Sequence, residues 1–466
     1  MSADLSDIGG GPRAAQAAAV ILAAGKGTRL MSALAKPLHP VAGRPLLQFS
    51  LNLCAKAGLD PVVLVHDPDA AEVTELAGEG VMCVAQPADG YGTGHAVRAA
   101  LAGMAEGQEA TAVLYADTPL LRAETVSGLI SLRAGSGAAV AVLSARAEDP
   151  TGYGRIVRNE SGGVTAIVES HMASEDELQI DEINTGIIVF DSDWLRANID
   201  ALESDPEKGE VLLTDTVALA LAQGRAVECL TLADPAEGMG CDDQADLADA
   251  ETRMRRRKLE ELMEAGVRIE DPAATYVDLD VQIGADSLVL AGCHLSGATV
   301  IGSGCEIGPN AQITDSSIAD RCAVNASVIS GARLAAGATV GPFAHLRAGT
   351  VLHHGVHIGT GSEVKNSTLG SGTMMGHFGY LGDADLGENV NIGAGAVTCN
   401  FDGETKHRTI IGPGTFIGSG SMIVAPAKIG RRAYIGAGAV VTRDVADGEV
   451  VYGVPARPRP ATNKDA

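Results

Sequence analysis

The chain has 466 residues, 46% of them hydrophobic and 20% charged, with 59 Asp and Glu against 34 Lys and Arg for a formal net charge of −25. That length predicts two or three domains, and the composition is that of a soluble globular chain, which excludes disorder over most of it. A field of that sign repels polyanions: no nucleic acid and no anionic membrane is expected as a partner, and any phosphate-bearing ligand must be held by local groups.

The first apolar run, Ala14 to Ala24, follows Arg13 in the manner of a signal peptide, but passes without a cleavage-like break into Gly25-Lys26-Gly27-Thr28-Arg29. No later stretch reaches membrane-spanning length. The run therefore reads as a buried first strand behind a disordered tail (1–17), in a cytoplasmic protein. Strand-like runs at Val20 to Leu22, Pro61 to Val65, Thr111 to Tyr115, Ala138 to Leu143 and Gly186 to Phe190 alternate with helix-like segments such as Arg44 to Ala57 and Gly94 to Met104. Such alternation predicts a Rossmann-like α/β domain with a mostly parallel sheet, placed at 18–248. A linker helix (249–272) follows, with Arg253, Arg255, Arg256, Arg257 and Lys258 on a solvated face. The eight cysteines form no C-x-x-C pair, which predicts reduced, buried thiols.

Over 273–452 the texture changes. Aliphatic residues recur every six positions at Ile301, Ile307 and Ile313, again from Val340 through Leu346, Leu352 and Ile358 to Val364, and again from Ile411 to Val441. Glycine follows many of them. Six is not a helical period. It fits a triangular solenoid, a left-handed parallel β-helix of hexapeptide repeats, in which each unit forms one flat side and points its aliphatic residue into the prism; 3% aromatic residues suits so narrow an interior. A tail (453–466) closes the chain.

Leu22-Ala23-Ala24-Gly25-Lys26-Gly27-Thr28-Arg29 follows a strand and carries two glycines and two cations, which suits backbone amides and positive charge gathered on phosphate oxygens. The spacing is not that of a P-loop. With Lys36-Pro37 this stretch resembles the signature of sugar-nucleotide pyrophosphorylases, and the likeness extends through Gln86, Tyr91-Gly92-Thr93-Gly94-His95, Tyr115-Ala116-Asp117, Gly152-Tyr153-Gly154-Arg155, Glu169 and Asn184-Thr185-Gly186. In the second half, Met375 to Asp383, Asn389 to Gly395 and Thr398 to Gly403 are similar to an acetyltransferase. Together the two halves, from about Ala19 to Gly453, resemble the bifunctional N-acetylglucosamine-1-phosphate uridylyltransferase/glucosamine-1-phosphate acetyltransferase family.

That resemblance implies roles. Leu22, Ala23, Ala24 and Gly25 would lie against the nucleotide, Arg29 and Lys36 against phosphates as catalytic cations, and Gln86, Gly92 and Thr93 against uracil, with Tyr115 nearby. Gly154, Glu169 and Asn184 would hold N-acetylglucosamine. Asp117 would bind Mg2+, a hard cation that prefers oxygen, and Asp242 would be the second ligand. The family's Tyr-Gly-Asp reads Tyr115-Ala116-Asp117 here, and its Gly-Val-Asn reads Gly240-Cys241-Asp242, so a carboxylate stands in place of an amide. A helix cap before Gln244 is the other reading of Asp242.

In the second half Arg347 and Lys365 would bind the phosphate of glucosamine 1-phosphate, and Tyr380 and Asn391 its sugar. His377 would be the general base for amine attack on acetyl-CoA, a task for which histidine is the common choice. Ala394, Ser419 and Ala437 would line the coenzyme A channel, with Asn400 nearby; Lys406 is a further polar residue along the coils, and Phe401 stands where the family often has tyrosine. The family assembles this site between neighbouring β-helices, which implies a homotrimer. The expected activity is acetylation of glucosamine 1-phosphate by acetyl-CoA, then uridylylation of N-acetylglucosamine 1-phosphate by UTP, giving UDP-N-acetylglucosamine, a precursor of peptidoglycan and lipopolysaccharide. Two alternatives stay open: a nucleotidyltransferase whose β-helix only oligomerises, and a catalytically silent subunit on the same folds.

Overall fold

The computed structural model describes residues 16–87, 90–204 and 209–458. The expected N-terminal tail lies outside them apart from Gln16 and Ala17, and so does the end of the C-terminal one. The chain divides into two compact units, up to Met254 and from Arg255 onward. Among the described residues no helix is long and apolar enough to cross a membrane.

Among the described residues the main sheet of the first unit has nine strands: β1 (Ala17–Ala23), β2 (Val62–His66), β3 (Met82–Ala85), β4 (Ala110–Tyr115), β5 (Val140–Arg146), β6 (Arg155–Arg158), β7 (Val164–Val168), β8 (Glu182–Asp191) and β9 (Val227–Thr231). They run β9-β5-β8-β4-β1-β2-β3, with the β6/β7 hairpin attached to β8. All neighbours along that row are parallel except β8, which is antiparallel to both β4 and β5.

Strand β1 is almost purely apolar because both its faces are covered. Val20 lies in register with Val63 and Val113 and packs on one side with Val97 and Leu101 of helix α1 (Thr93–Gly103). Ile21, Leu64 and Leu114 form the same row on the other side, against Leu47 and Leu53 from the helix Leu46–Ala57 and Leu129 from Ala123–Ser136. The register carries Leu22 level with Tyr115, so the loops after β1 and β4 emerge side by side at the carboxyl edge of the sheet, where ligands of open α/β sheets bind.

The long helix Gln244–Glu264 starts ahead of the expected linker and ends before it. Its basic run is not uniformly solvated, which corrects the sequence expectation. Arg253 and Arg256 do pair with Asp249 and Glu260 at the surface, but the Lys258 side chain is only 6% exposed, and Arg255 lies 4.7 Å above the Tyr276 ring. Apolar stems let long cations cover hydrophobic surface in this way.

The second unit stacks short strands, most of two or three residues, into three sheets of 12, 10 and 9 strands. Neighbours are parallel throughout, save the last pair of the 12-stranded sheet, where Val451 faces Pro458 in antiparallel fashion. Every aliphatic residue of the six-residue series is buried in one continuous core. The cysteines are all free, but only Cys54, Cys241, Cys293, Cys305 and Cys322 are buried; Cys83 is exposed, and Cys229 and Cys399 are in between.

Candidate active sites

A cleft of about 320 Å3 opens at the carboxyl edge of the first sheet. It is lined by Leu22 to Gly25, Lys36, Gln86, Gly92, Thr93, Tyr115, Asp117 and Asp242, so the structure brings together most of the nucleotide residues expected from the sequence. Gly27 shows why glycine is needed in the first loop. Its φ is +57°, and a Cβ there would stand 2.8 Å from the Lys36 Cβ, so any side chain would push Lys36 out of the cleft.

Lys36 joins two carboxylates. Its ammonium donates to Asp117, and to Asp242 Oδ1 at 2.7 Å; Asp242 Oδ2 in turn holds the Arg29 guanidinium at 2.9 Å. The four charges cancel. Burial alone would lower the Lys36 ammonium, but Asp117 and Asp242 outweigh it and hold it above its ordinary value. Asp117 is pushed up by burial, against the pull of Lys36, while Asp242 stays below its ordinary value because Lys36 and Arg29 outweigh its burial. Backbone geometry fixes the pair: the Cys241 N–H donates to the Asp117 carbonyl at 2.9 Å.

Asp242 is not the helix cap. That place belongs to Asp243, whose Oδ1 accepts from the N–H groups of Ala245 and Asp246. The Asp246 carboxylate in turn takes the backbone N–H of Asp242 at 2.8 Å. Two hard oxygen donors from separate loops therefore converge on one cation position. Such a set suits Mg2+, which takes one or two carboxylates and completes its shell with water and substrate phosphate.

Gly154, Glu169 and Asn184 do not line this cleft but form a group beside it. Asn184 N–H donates to the Gly154 carbonyl at 2.8 Å, and Glu169 accepts from Thr214 Oγ1 at 2.9 Å. Tyr115 links the two groups: its ring packs on Gly186, and burial, followed by the charges of Asp117 and Glu169, pushes its phenol up. Arg29, 70% exposed, reaches the cleft through Asp242.

In the second unit His377, Ala394, Ser419 and Ala437 occupy one edge of the prism. Each follows a glycine closing a strand of the 12-stranded sheet and precedes a strand of the 10-stranded sheet. Successive coils meet there through Gly420 N–H to Ala394 O at 2.7 Å and Gly438 N–H to Ser419 O at 2.8 Å. His377 is exposed, with its carbonyl held by Ser362 Oγ at 2.7 Å. Asn391 lies on the 12-stranded sheet and Tyr380 on the 10-stranded one, so the two expected sugar residues sit on different faces either side of that edge.

The 10-stranded face carries the charge. Arg347 pairs with Glu363 at 2.9 Å, and Lys365 lies between Arg347 and Lys406. Lys406, then its own burial and Arg347, push the Lys365 ammonium below its ordinary value. Lys406 arrives on an insertion: the partner of Met374 in the next coil is Asn391, but the partner of Asn391 is Phe416, and the surplus chain leaves the prism after Cys399. The β-ladder lapses there, and a polar core residue covers the gap, as the Gly382 N–H donates to Thr398 Oγ1 at 2.8 Å. A Cβ on Gly382 would collide with both Tyr380 Oη and Asn400 Nδ2.

Comparison with known proteins agrees with this geometry. The model of the MobA-like NTP transferase domain matches residues 19–214, and that of the bacterial transferase hexapeptide (six repeats) matches 280–315 and 408–443. Bifunctional protein GlmU of Pelobacter propionicus is 45% identical over 93% of this chain and 95% of its own length. The belonging is decided by that coverage across both units. The chain belongs to the bifunctional GlmU family. The GlmU of Exiguobacterium sibiricum, 43% identical over 96% of this chain and 99% of its own, and that of Carboxydothermus hydrogenoformans, 41% over 91% and 95%, are further relatives. The chain thus unites a uridylyltransferase and an acetyltransferase, and its substrates are small molecules that include a nucleotide.

Several residues of these sites were given no role by sequence reasoning. Glu210 and Leu212 line the nucleotide cleft, Asp246 orients Asp242, and Asn366 and Asp383 support the face that carries Lys365. The last two take positive φ at a prism corner, where Asn and Asp are ordinary turn formers, so no local signal set them apart.

Proposed function

We propose that the two units act in series, acetylating glucosamine 1-phosphate and then converting N-acetylglucosamine 1-phosphate and UTP to UDP-N-acetylglucosamine and pyrophosphate. The observation that carries this reading is the pairing of Lys36 and Arg29 with Asp117 and Asp242 at the mouth of a glycine-lined cleft, in a chain whose other unit sets a histidine edge beside a cationic face.

In the first reaction the free amine of the sugar attacks the thioester carbonyl. His377 takes the amine proton, the C–S bond breaks, and the thiolate leaves as the free thiol once protonated. Arg347 and Lys365 hold the phosphate, Tyr380 and Asn391 the sugar, and Ala394, Ser419 and Ala437 admit the coenzyme along a row of small side chains, with Asn400 nearby. The separation of Tyr380 and Asn391 onto two faces favours a site completed by a second copy, consistent with a homotrimer. In the second reaction an oxygen of the sugar phosphate attacks the α-phosphorus of UTP and pyrophosphate departs. Lys36 and Arg29 exchange carboxylate for phosphate oxygens and offset the gathering charge. Leu22 to Gly25, Gln86, Gly92 and Thr93 hold the nucleotide, and Gly154, Glu169 and Asn184 the acetylated sugar. Mg2+ held by Asp117 and Asp242 would supply further neutralisation of phosphate charge. The cytoplasm, where both co-substrates are found, is the proposed location.

The test is a split assay: thiol release from acetyl-CoA with glucosamine 1-phosphate, and pyrophosphate release from UTP with N-acetylglucosamine 1-phosphate and Mg2+. His377→Ala is expected to abolish only the first and Asp117→Ala only the second. Absence of thiol release from the unmutated protein would reduce the β-helix to a scaffold.

A further inference from the structure

Asp383 stands at a prism corner with φ +50°, 9% exposed, one coil beyond Asn366. Each of its oxygens accepts one side-chain amide: Asn366 Nδ2 donates to Oδ1 and Asn400 Nδ2 to Oδ2, both at 2.5 Å. A carboxylate can only accept, so it dictates which way both amides point. With its NH2 committed to Asp383, Asn400 must present its carbonyl oxygen elsewhere, and among the described residues nothing donates to that oxygen. Asn400 also opens the insertion that delivers Lys406, and its main-chain carbonyl takes the His407 N–H at 2.7 Å, so the same residue roots the loop on the prism. Outside the loop's base, Arg408 pairs with Asp385 one strand further on, a second and more exposed anchor.

We infer that Asp383 is a positioning residue for acetyl transfer: by binding the Asn366 and Asn400 amides it turns the Asn400 carbonyl toward an N–H donor of the bound substrates and sets the loop that brings Lys406 beside Lys365. The N–H donor is of amine or secondary-amide class, the two kinds that an aminosugar and a pantetheine chain offer. Asp383→Asn removes the dictation. An amide can accept from only one of its two neighbours with its oxygen and must present its own NH2 to the other, so one of Asn366 and Asn400 has to turn over or lose its partner. This inference rests on the acyl-transfer reading of the second unit.

The experiment is a double-mutant cycle on the full-length protein with Asp383→Asn, Asn400→Ala and both together, reading thiol release, pyrophosphate release and thermal unfolding. Asp383→Asn is expected to lower kcat/KM for glucosamine 1-phosphate at least tenfold, with pyrophosphate release within twofold of the unmutated protein. The double variant is expected to be no worse than the poorer single one, because Asp383 acts through Asn400. A merely structural role would instead lower the melting temperature and both activities together, whereas the positioning role lowers acetyl transfer with the melting temperature and pyrophosphate release little changed. If Asp383→Asn fails to fold, Asp383→Glu, which keeps the charge and displaces it by one methylene, takes its place in the same cycle with the same expectation. Additive losses, or acetyl transfer retained within twofold in the single Asp383 variant, overturn the inference. Thiol release absent from the unmutated protein would instead overturn the acyl-transfer reading itself.

Discussion

Replacing Asp242 by Asn isolates what the second carboxylate of the cleft does. Asp242 touches both cleft cations, at 2.7 Å from Lys36 and 2.9 Å from Arg29, so it cancels part of the field they would present to a phosphate. Arg29, Lys36, Asp117 and Asp242 sum to zero; with Asn the same four residues carry +1. A unit charge about 6 Å from a phosphate oxygen is worth about 0.7 kcal/mol in water-like surroundings and about 3 kcal/mol at an effective dielectric near 20. Asp242 is one-third exposed, which places the site between those limits. Metal-free UTP should therefore bind Asp242→Asn about 3-fold to 100-fold more tightly than the unmutated protein. Without nucleotide, Mn2+ should bind more weakly by a similar factor, since the cluster loses a hard anionic donor. Because Asn is isosteric and its oxygen still accepts from Lys36, the fold should be kept, with a modest fall in melting temperature from the loss of the ion pairs that hold Asp242 below its ordinary value. Calorimetric titration of UTP in chelator, and of Mn2+ without nucleotide, reads both quantities. Equal or weaker UTP binding by the variant would refute the charge balance, whatever happened to turnover.

Two further outcomes follow from single contacts. Gly382→Ala places a methyl against Tyr380 Oη and Asn400 Nδ2, so acetyl transfer should fall at least tenfold while pyrophosphate release in the same preparation is unchanged; equal loss of both would point to misfolding rather than to the site. Glu182→Gln tests a buried cluster two residues along the same strand from Asn184, where Arg158 grips the carboxylate at 2.6 and 2.8 Å and Ser144 and Thr231 donate to it. Burial pushes Glu182 up, but those partners outweigh it and hold the group at about 2 against an ordinary 4.5. A depressed carboxylate stabilises the fold above its unfolded value and loses that contribution as pH falls toward the folded one. The variant should be less stable by roughly 1–3 kcal/mol at pH 7, after allowance for solvent screening. That gap should close between about pH 4.5 and 2 in chemical unfolding; a gap independent of pH would sink the assignment.

The β-helix was legible because its code is one residue per side. Once Ile301, Ile307 and Ile313 are read as inward, the prism follows, and all three are buried. The steps that shorten, from Ile313 to Ile318 and from Val324 through Ile329 to Leu334, break the count in the sequence yet leave the ladder intact, because the lost residue comes from a corner rather than a face. Periodicity does not reveal which polar residues share a face. Only the coil register shows that His377, Ala394, Ser419 and Ala437 form an edge and that Tyr380 and Asn391 flank it. In the first unit, apolar strands and the glycine-rich turn marked the cleft, but the choice between Asp242 and Asp243 as helix cap depends on which carboxylate the following N–H groups reach, a matter of ångströms invisible in the order Cys241-Asp242-Asp243.

Both sites meet the same electrostatic problem. Their substrates are anionic and the chain carries −25, so cations left bare in either site would mainly offset the surrounding field. Instead three of the cations are already engaged: Lys36 on Asp117 and Asp242, Arg29 on Asp242 and Arg347 on Glu363. Lys365 and Lys406 repel one another, within the field of Asp383. Phosphate binding is then an exchange of one anion for another on a cation already oriented, and the carboxylate released is free for a second task. For Asp117 and Asp242 that task would be to hold a divalent ion. For Asp383, which keeps its two amides throughout, it is orientation, and this difference explains why a carboxylate stays bonded in one site and becomes available in the other.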